Sequence, residues 1–415
     1  LAFKILSKIE YDKAYSNLTL DSELKKNNAV SSAFVCALVY GVLERKITLD
    51  YFLSQFLTQP IKKLDPRVLT LLRLGVYQVK YMDKVPASAA VNESVKLSRK
   101  VKCSYASGLI NSVLRKIAST DILLPESSDE IYNLSIKYSC PEGLVLQFVN
   151  DYGYIKAEEI LNASIGTVPT VIRVNTLKID KNTLIEKLNE DNISASSVND
   201  MEMLEIISGE SPFSSNCYKK GYFHAQDTAS QMCIEAFSPN PGETGFDMCS
   251  APGGKSFTMG EIMNNKGCIY SFDLYEHKVN LIKSGAERLG IDIINAQLGD
   301  ASVFNKELPS ADKVLCDVPC AGLGVIRRKP EIKYKDFGFV DKLCELQYNI
   351  LNTGSLYVKD GGILMYSTCS LSERENRDVC NRFLSEHDNF RCDGMTTIFP
   401  SERSDGFFFA KFIKE

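Results

Sequence analysis

No apolar run in this chain approaches the roughly 18 residues that a membrane-crossing helix needs, so no transmembrane span is expected. None of its 13 cysteines falls in a Cys-x-x-Cys pair, and there are only three histidines, His224, His277 and His387. The ligand sets of a zinc site are therefore missing, and no metal is expected. An odd number of cysteines in 415 residues also argues against a disulfide framework. That points to a reducing cytoplasm, with most thiols acting as small buried hydrophobes. No secretory leader is expected at the start, because Lys4 and Lys8 sit inside an amphipathic pattern. The first residue is Leu rather than Met, which predicts that a few native residues precede it. Internal repeats and low-complexity tracts are absent too.

What is present is ordinary for a globular chain, 44% apolar and 24% charged, and long enough for two or three domains. The net charge of −4 alone argues against a nucleic-acid partner, but the charge is unevenly placed. Residues 1–120 hold 19 Lys and Arg against 9 Asp and Glu, a net of +10, and the remainder holds 29 against 43. Such asymmetry suggests a nucleic-acid-binding N-terminal module joined to a more acidic domain.

Helical patterns fill residues 1–125, which read as an all-α domain. Asp65-Pro66 supplies a cap and a first-turn proline, and Ala87–Leu97 and Ser107–Ala118 are further helices. Residues 119–130 read as a linker. Residues 126–225 mix helices with strands at Thr170–Asn175 and Met203–Ile207, a small α+β linking module. From 226 to 415 strands and helices alternate. The strands are expected at 245–249, 268–272, 293–297, 313–317, 362–367 and 406–413, which predicts a doubly wound, mostly parallel sheet.

The first of those strands runs into Cys249-Ser250-Ala251-Pro252-Gly253-Gly254-Lys255, a tight turn into a helix whose free N–H groups can face a ligand. A Walker A phosphate loop would need glycine where Cys249 stands, and the spaced glycines of a dinucleotide site are absent. What remains is a nucleoside ligand without phosphates. Asp273 ends the second strand, where an acid can accept hydrogen bonds from ribose hydroxyls, and Asp300 follows the third, within reach of an adenine amino group. Together these favour S-adenosylmethionine. Two cysteines then follow strands on the same edge, in Asp317-Val318-Pro319-Cys320 and in Ser367-Thr368-Cys369-Ser370.

Several segments resemble known families. Val39-Tyr40-Gly41-Val42-Leu43-Glu44-Arg45, Lys63-Leu64-Asp65-Pro66-Arg67, Leu72-Arg73-Leu74-Gly75-Val76-Tyr77-Gln78, Val85-Pro86-Ala87-Ser88-Ala89-Ala90-Val91-Asn92-Glu93 and Asn111-Ser112-Val113-Leu114-Arg115 resemble the NusB-type RNA-binding domain. Ser16-Asn17-Leu18 and Leu49-Asp50-Tyr51 belong to the same run of matches. The likeness is narrower still to the version fused to bacterial 16S ribosomal RNA cytosine-5 methyltransferases. The two cysteine motifs are similar to those of the RNA cytosine-5 methyltransferase family. DNA enzymes use the Pro-Cys cysteine as nucleophile and lack the Thr-Cys pair.

The resemblance implies a Rossmann-like catalytic domain that methylates carbon 5 of a cytosine. Cys369 would be the nucleophile adding at carbon 6, and Cys320 would assist proton removal and release. Asp317 is placed to stabilise charge developing at nitrogen 3. The resemblance further implies that Cys249, Ser250, Ala251, Pro252, Gly253, Gly254, Lys255, Asp273, Asp300 and Asp317 line the S-adenosylmethionine site. Arg327, Arg328 and Lys329 could neutralise RNA phosphates. Arg173, in Arg173-Val174-Asn175-Thr176, divides evenly between RNA contact and a salt-bridged role. Ala321 departs from the serine usual after the Pro-Cys cysteine, and Tyr334 from the tryptophan usual at its position. The expected partner is small-subunit ribosomal RNA. The same chemistry on transfer RNA and a non-catalytic RNA-binding assembly factor remain alternatives. Nothing in the sequence bears on oligomeric state.

Overall fold

The computed structural model describes residues 1–11, 16–27 and 31–415, with the Asn17 side chain outside that description, so this part of the Ser16-Asn17-Leu18 match lies outside the described residues. The chain forms two compact units, Leu1–Ile165 with Ile326–Lys335, and Gly166–Val325 with Asp336–Glu415.

In the first unit, α1 (Ala2–Tyr11), α2 (Ser16–Lys25), α3 (Ser32–Ser54), α4 (Pro66–Tyr81), α5 (Ala87–Lys100) and α6 (Ser107–Ser119) are followed by α7 (Glu130–Tyr138), α8 (Glu142–Tyr152) and α9 (Tyr154–Ala163). The all-α expectation holds here among the described residues. Helix α4 starts as its sequence predicts, with the Asp65 carboxylate accepting from Arg67 N–H at 2.8 Å and Pro66 in the first turn. Ile5, Leu49, Leu53, Leu72, Ile110 and Leu114 are fully buried in a shared core. Arg73 crosses that core and is neutralised there, with bonds of 2.7 Å to each oxygen of Asp50 and 2.6 Å to Glu10. The segment 326–335 packs on these helices. Lys333 Nζ donates to the Glu44 carbonyl at 2.7 Å and the Tyr334 hydroxyl to the Leu43 carbonyl at 2.8 Å.

The second unit begins with β1 (Thr170–Val174), α10 (Lys181–Glu190), β2 (Ser194–Ser197), β3 (Met203–Ser208), α11 (Asn216–Lys219) and β4 (Phe223–Ala225). The strands form an antiparallel sheet in the order β2-β3-β1-β4. Sequence patterning misses β2, whose Ser-Ala-Ser-Ser offers no apolar alternation.

Then come α12 (Thr228–Phe237), β5 (Thr244–Asp247), α13 (Gly254–Ile262), β6 (Cys268–Asp273), α14 (Glu276–Leu289), β7 (Ile294–Leu298), β8 (Ala311–Asp317), α15 (Val340–Ser355), β9 (Val358–Thr368), α16 (Arg377–Glu386), β10 (Phe390–Ile398) and β11 (Phe407–Lys414). The second sheet has the order β10-β11-β9-β8-β5-β6-β7. Its β7-to-β9 section is parallel, and β11 and β10 are added antiparallel. This is the expected mostly parallel α/β sheet with one strand more, β10, which is exposed along most of its length and so lacks the apolar pattern of a core strand. Strand order reverses beside β5, between β8 and β6, which makes the carboxyl end of β5 the crevice where such sheets bind ligands. No helix among the described residues is long and apolar enough to cross a membrane.

Candidate active site

The parallel strands place the residues expected for the cofactor and the two cysteine motifs on a single edge of this sheet. At the end of β5 the chain turns sharply. Gly253 takes φ +111, and a Cβ there would stand 2.3 Å from the Phe257 ring, so the backbone is open at the place where it enters α13. The Ser250 N–H donates to the Phe272 carbonyl at 2.8 Å, tying this turn to β6. Asp247 is fully buried. Ser256 donates to its Oδ2 at 2.7 Å, its Oδ1 has no partner, and burial pushes the carboxyl up to about 6. Burial also holds the Cys249 thiol well above its usual range, which keeps it a neutral thiol.

Asp273 closes β6, largely buried, with one oxygen accepting from the Tyr275 N–H at 3.1 Å and Lys278 at 3.6 Å from the other. Asp300 lies two residues past β7, exposed. It accepts from the Ser302 hydroxyl at 2.6 Å and N–H at 2.9 Å, bonds that hold it below the usual carboxylate range. The edge thus offers a glycine-opened backbone, two acids on successive strand ends and no phosphate loop. That donor set fits a nucleoside such as the one in S-adenosylmethionine.

The two cysteine motifs follow the ends of β8 and β9, paired in register with Asp317 opposite Ser367. Cys320 and Cys369 form no disulfide, and their sulfurs approach to 3.1 Å. The hydrogen bond with Cys369, then burial, then the Glu375 carboxylate raise the Cys320 thiol well above its usual range. Asp317 accepts from Lys255 Nζ and from the Ser367 hydroxyl, each at 2.7 Å. Burial opposes the charge on Lys255, but the Asp317 carboxylate prevails and keeps it protonated. Lys255, expected only to line the cofactor site, is thus joined to the thiol side of the edge. Sequence reasoning missed the role of Ser367, although it opens the Ser367-Thr368-Cys369-Ser370 motif, because nothing in that motif pairs it with Asp317, and it missed the buried Glu375 because no quoted motif contains it.

Arg173 is corrected. Its side chain is 3% exposed, donates to Glu261 at 2.6 Å and also bonds Gln231. A buried guanidinium committed to a buried carboxylate is structural, so it is not an RNA contact. Arg327, Arg328 and Lys329 belong to the segment that packs with the first unit. The two arginines are half-buried and Lys329 is exposed.

Fold and site together define a Rossmann-like methyltransferase. Residues 234–413 match the family described as 16S rRNA methyltransferase RsmB/F, residues 1–119 the NusB family, and residues 140–206 the ferredoxin-like domain of RsmF/B-like methyltransferases. The chain is 37% identical over 404 residues to the probable ribosomal RNA small subunit methyltransferase B of Bacillus subtilis, covering 95% of this chain and 89% of that one. The crystal structure of PH0851 covers 100% of this chain and 97% of its own, with a TM-score of 0.82 and 25% identity. A methyltransferase homologue from Pyrococcus horikoshii covers 70% of this chain and 100% of its own, with a TM-score of 0.62 and 25% identity. The chain belongs to the RsmB/F methyltransferase family, with S-adenosylmethionine as its methyl donor.

Proposed function

We propose that this enzyme methylates carbon 5 of a cytosine in small-subunit (16S) ribosomal RNA, in the cytoplasm, through a covalent bond between Cys369 and carbon 6. The observation that carries this reading is the 3.1 Å approach of two thiols beside Asp317, on neighbouring ends of one sheet. Carbon 5 of cytosine is a weak nucleophile. Addition of the Cys369 thiolate to carbon 6 moves the ring electrons toward carbon 5 and makes it an enamine carbon. Cys249 to Lys255, Asp273 and Asp300 would hold S-adenosylmethionine, which when bound would supply an electrophilic methyl group for that carbon. Negative charge developing at nitrogen 3 is met by the Lys255–Asp317 pair, with Lys255 bringing the positive charge. Cys320 then serves as the base for the carbon-5 proton. As that proton leaves, the S–C6 bond breaks and Cys369 departs as thiolate.

Delivery to ribosomal RNA rests on the NusB-like half with its excess of cations, with Arg327, Arg328 and Lys329 at phosphates. The target base leaves its stack to reach Cys369. The test is methylation of purified small-subunit ribosomal RNA with labelled S-adenosylmethionine, followed by nuclease digestion and nucleoside analysis. All label is expected in 5-methylcytidine. Label in another nucleoside, or transfer to transfer RNA alone, contradicts the reading.

A further inference from the structure

Cys320 and Cys369 lie on separate loops, 49 positions apart in sequence, yet their sulfurs approach to 3.1 Å. Something must hold those loops together. Glu375, in the turn that leads into α16, is fully buried. Its Oε1 accepts from the Ala321 N–H at 2.8 Å, immediately after Cys320, and its Oε2 accepts from the Ser370 hydroxyl at 2.5 Å, immediately after Cys369. Gln347 of α15 donates to the same Oε1 at 3.0 Å and to the Pro319 carbonyl at 2.9 Å, immediately before Cys320. Asn376 completes the bracket. It donates to the Ser370 carbonyl at 3.0 Å and accepts from the Thr368 hydroxyl at 2.7 Å, so it grips both neighbours of Cys369. Gly324 closes the other side. Its N–H donates to the Cys369 carbonyl at 2.9 Å, and a Cβ there would stand 1.9 Å from the Gly406 carbonyl oxygen.

A buried carboxylate taking donors from two loops costs desolvation that a purely structural brace could avoid with apolar packing. An acceptor-only group suits this place, because all three partners are donors. We infer that Glu375 is a positioning residue that sets the distance between the Cys320 and Cys369 thiols by clamping the residue that follows each of them. This rests on the reading that the two thiols carry the chemistry. Glu375 acts through Ala321 and Ser370, the residues to which it is hydrogen-bonded.

The test uses Glu375→Gln in the full chain, which keeps the shape but turns one acceptor into an amide donor facing donors. Thiol spacing is read without turnover by oxidation with diamide. The two thiols give up two hydrogens, diamide takes them up to become its hydrazine, and the Cys320–Cys369 disulfide is counted by mass spectrometry. Alkylation of exposed Cys392 is the control. Disulfide formation is expected to slow at least about tenfold, with kcat falling about 10²-fold and KM for S-adenosylmethionine within about twofold, as a displacement on the order of 1 Å would produce. Ser370→Ala, which removes a single donor, is expected to slow the crosslink by a smaller factor, and it carries the test if Glu375→Gln does not fold. An unchanged crosslinking rate in both variants overturns the inference. A slowed crosslink with undiminished kcat upholds the positioning role and instead overturns the reading that this thiol pair does the chemistry.

Discussion

At the ends of β5 and β6 the site is made of backbone and small side chains, whereas at the ends of β8 and β9 it is made of side chains held by other side chains. The first half needs Gly253 at φ +111 and a turn tied to the Phe272 carbonyl. The second needs a carboxylate, two amides and a hydroxyl, drawn from Gln347, Ser370, Glu375 and Asn376, to bring two sulfurs together. The difference follows from the tasks. A cofactor is gripped over a wide surface, and an open backbone serves for that. A covalent step fails when its reacting groups are an ångström out of place, so its thiols need a rigid surrounding shell.

The two halves can be separated by mutation, and the largest effect is expected at Cys369. Cys369→Ala should reduce methyl transfer by at least about 10⁴-fold, as loss of a nucleophile does, while binding of S-adenosylmethionine measured by calorimetry stays within about twofold. Weakened binding would mean that the halves are not separable. Asp247, at the end of β5, tests the junction next. Its carboxyl is raised by burial to about 6 from 3.8, so between those values the folded state holds a proton that the unfolded state has lost. Stability should therefore fall as pH rises from about 4 to about 6, by at most about 3 kcal/mol at ~1.4 kcal/mol per unit. Asp247→Asn should flatten that slope in urea unfolding, and parallel curves for the two proteins would refute the account of its burial. The smallest effect is expected at Gly253. Gly253→Ala should cost about 1–2 kcal/mol at the turn and raise KM for S-adenosylmethionine about tenfold. Diamide crosslinking of Cys320 to Cys369 should proceed at the parent rate, and a slowed crosslink would join the halves that the structure separates.

The same contrast explains what the sequence made legible. The β5 turn announces itself, because apolar residues, a proline, two glycines and a helix start fall within a dozen positions. The strand-end acids Asp273 and Asp300 follow from periodicity, and Cys320 and Cys369 from their motifs. The bracket around the thiols also draws in Gln347, Glu375 and Asn376, which read in isolation as ordinary polar residues of helices and turns. Only the fold brings them together. Arg173 shows the reverse error, since an arginine in a strand carries no sign of the Glu261 that neutralises it 88 positions away. Strand β10 was missed for a related reason, because an exposed strand added beside β11 leaves no apolar alternation to read.

The most direct test of the central claim is a covalent one. Cys320→Ala protein, which keeps the nucleophile but lacks the thiol assigned to proton removal, should be incubated with small-subunit ribosomal RNA and S-adenosylmethionine, digested and mapped by mass spectrometry. The account predicts an adduct in which the Cys369 sulfur is bonded to carbon 6 of a 5-methylated cytidine, accumulating well above the parent level. An adduct at any other residue, or none while methylation continues, would contradict it.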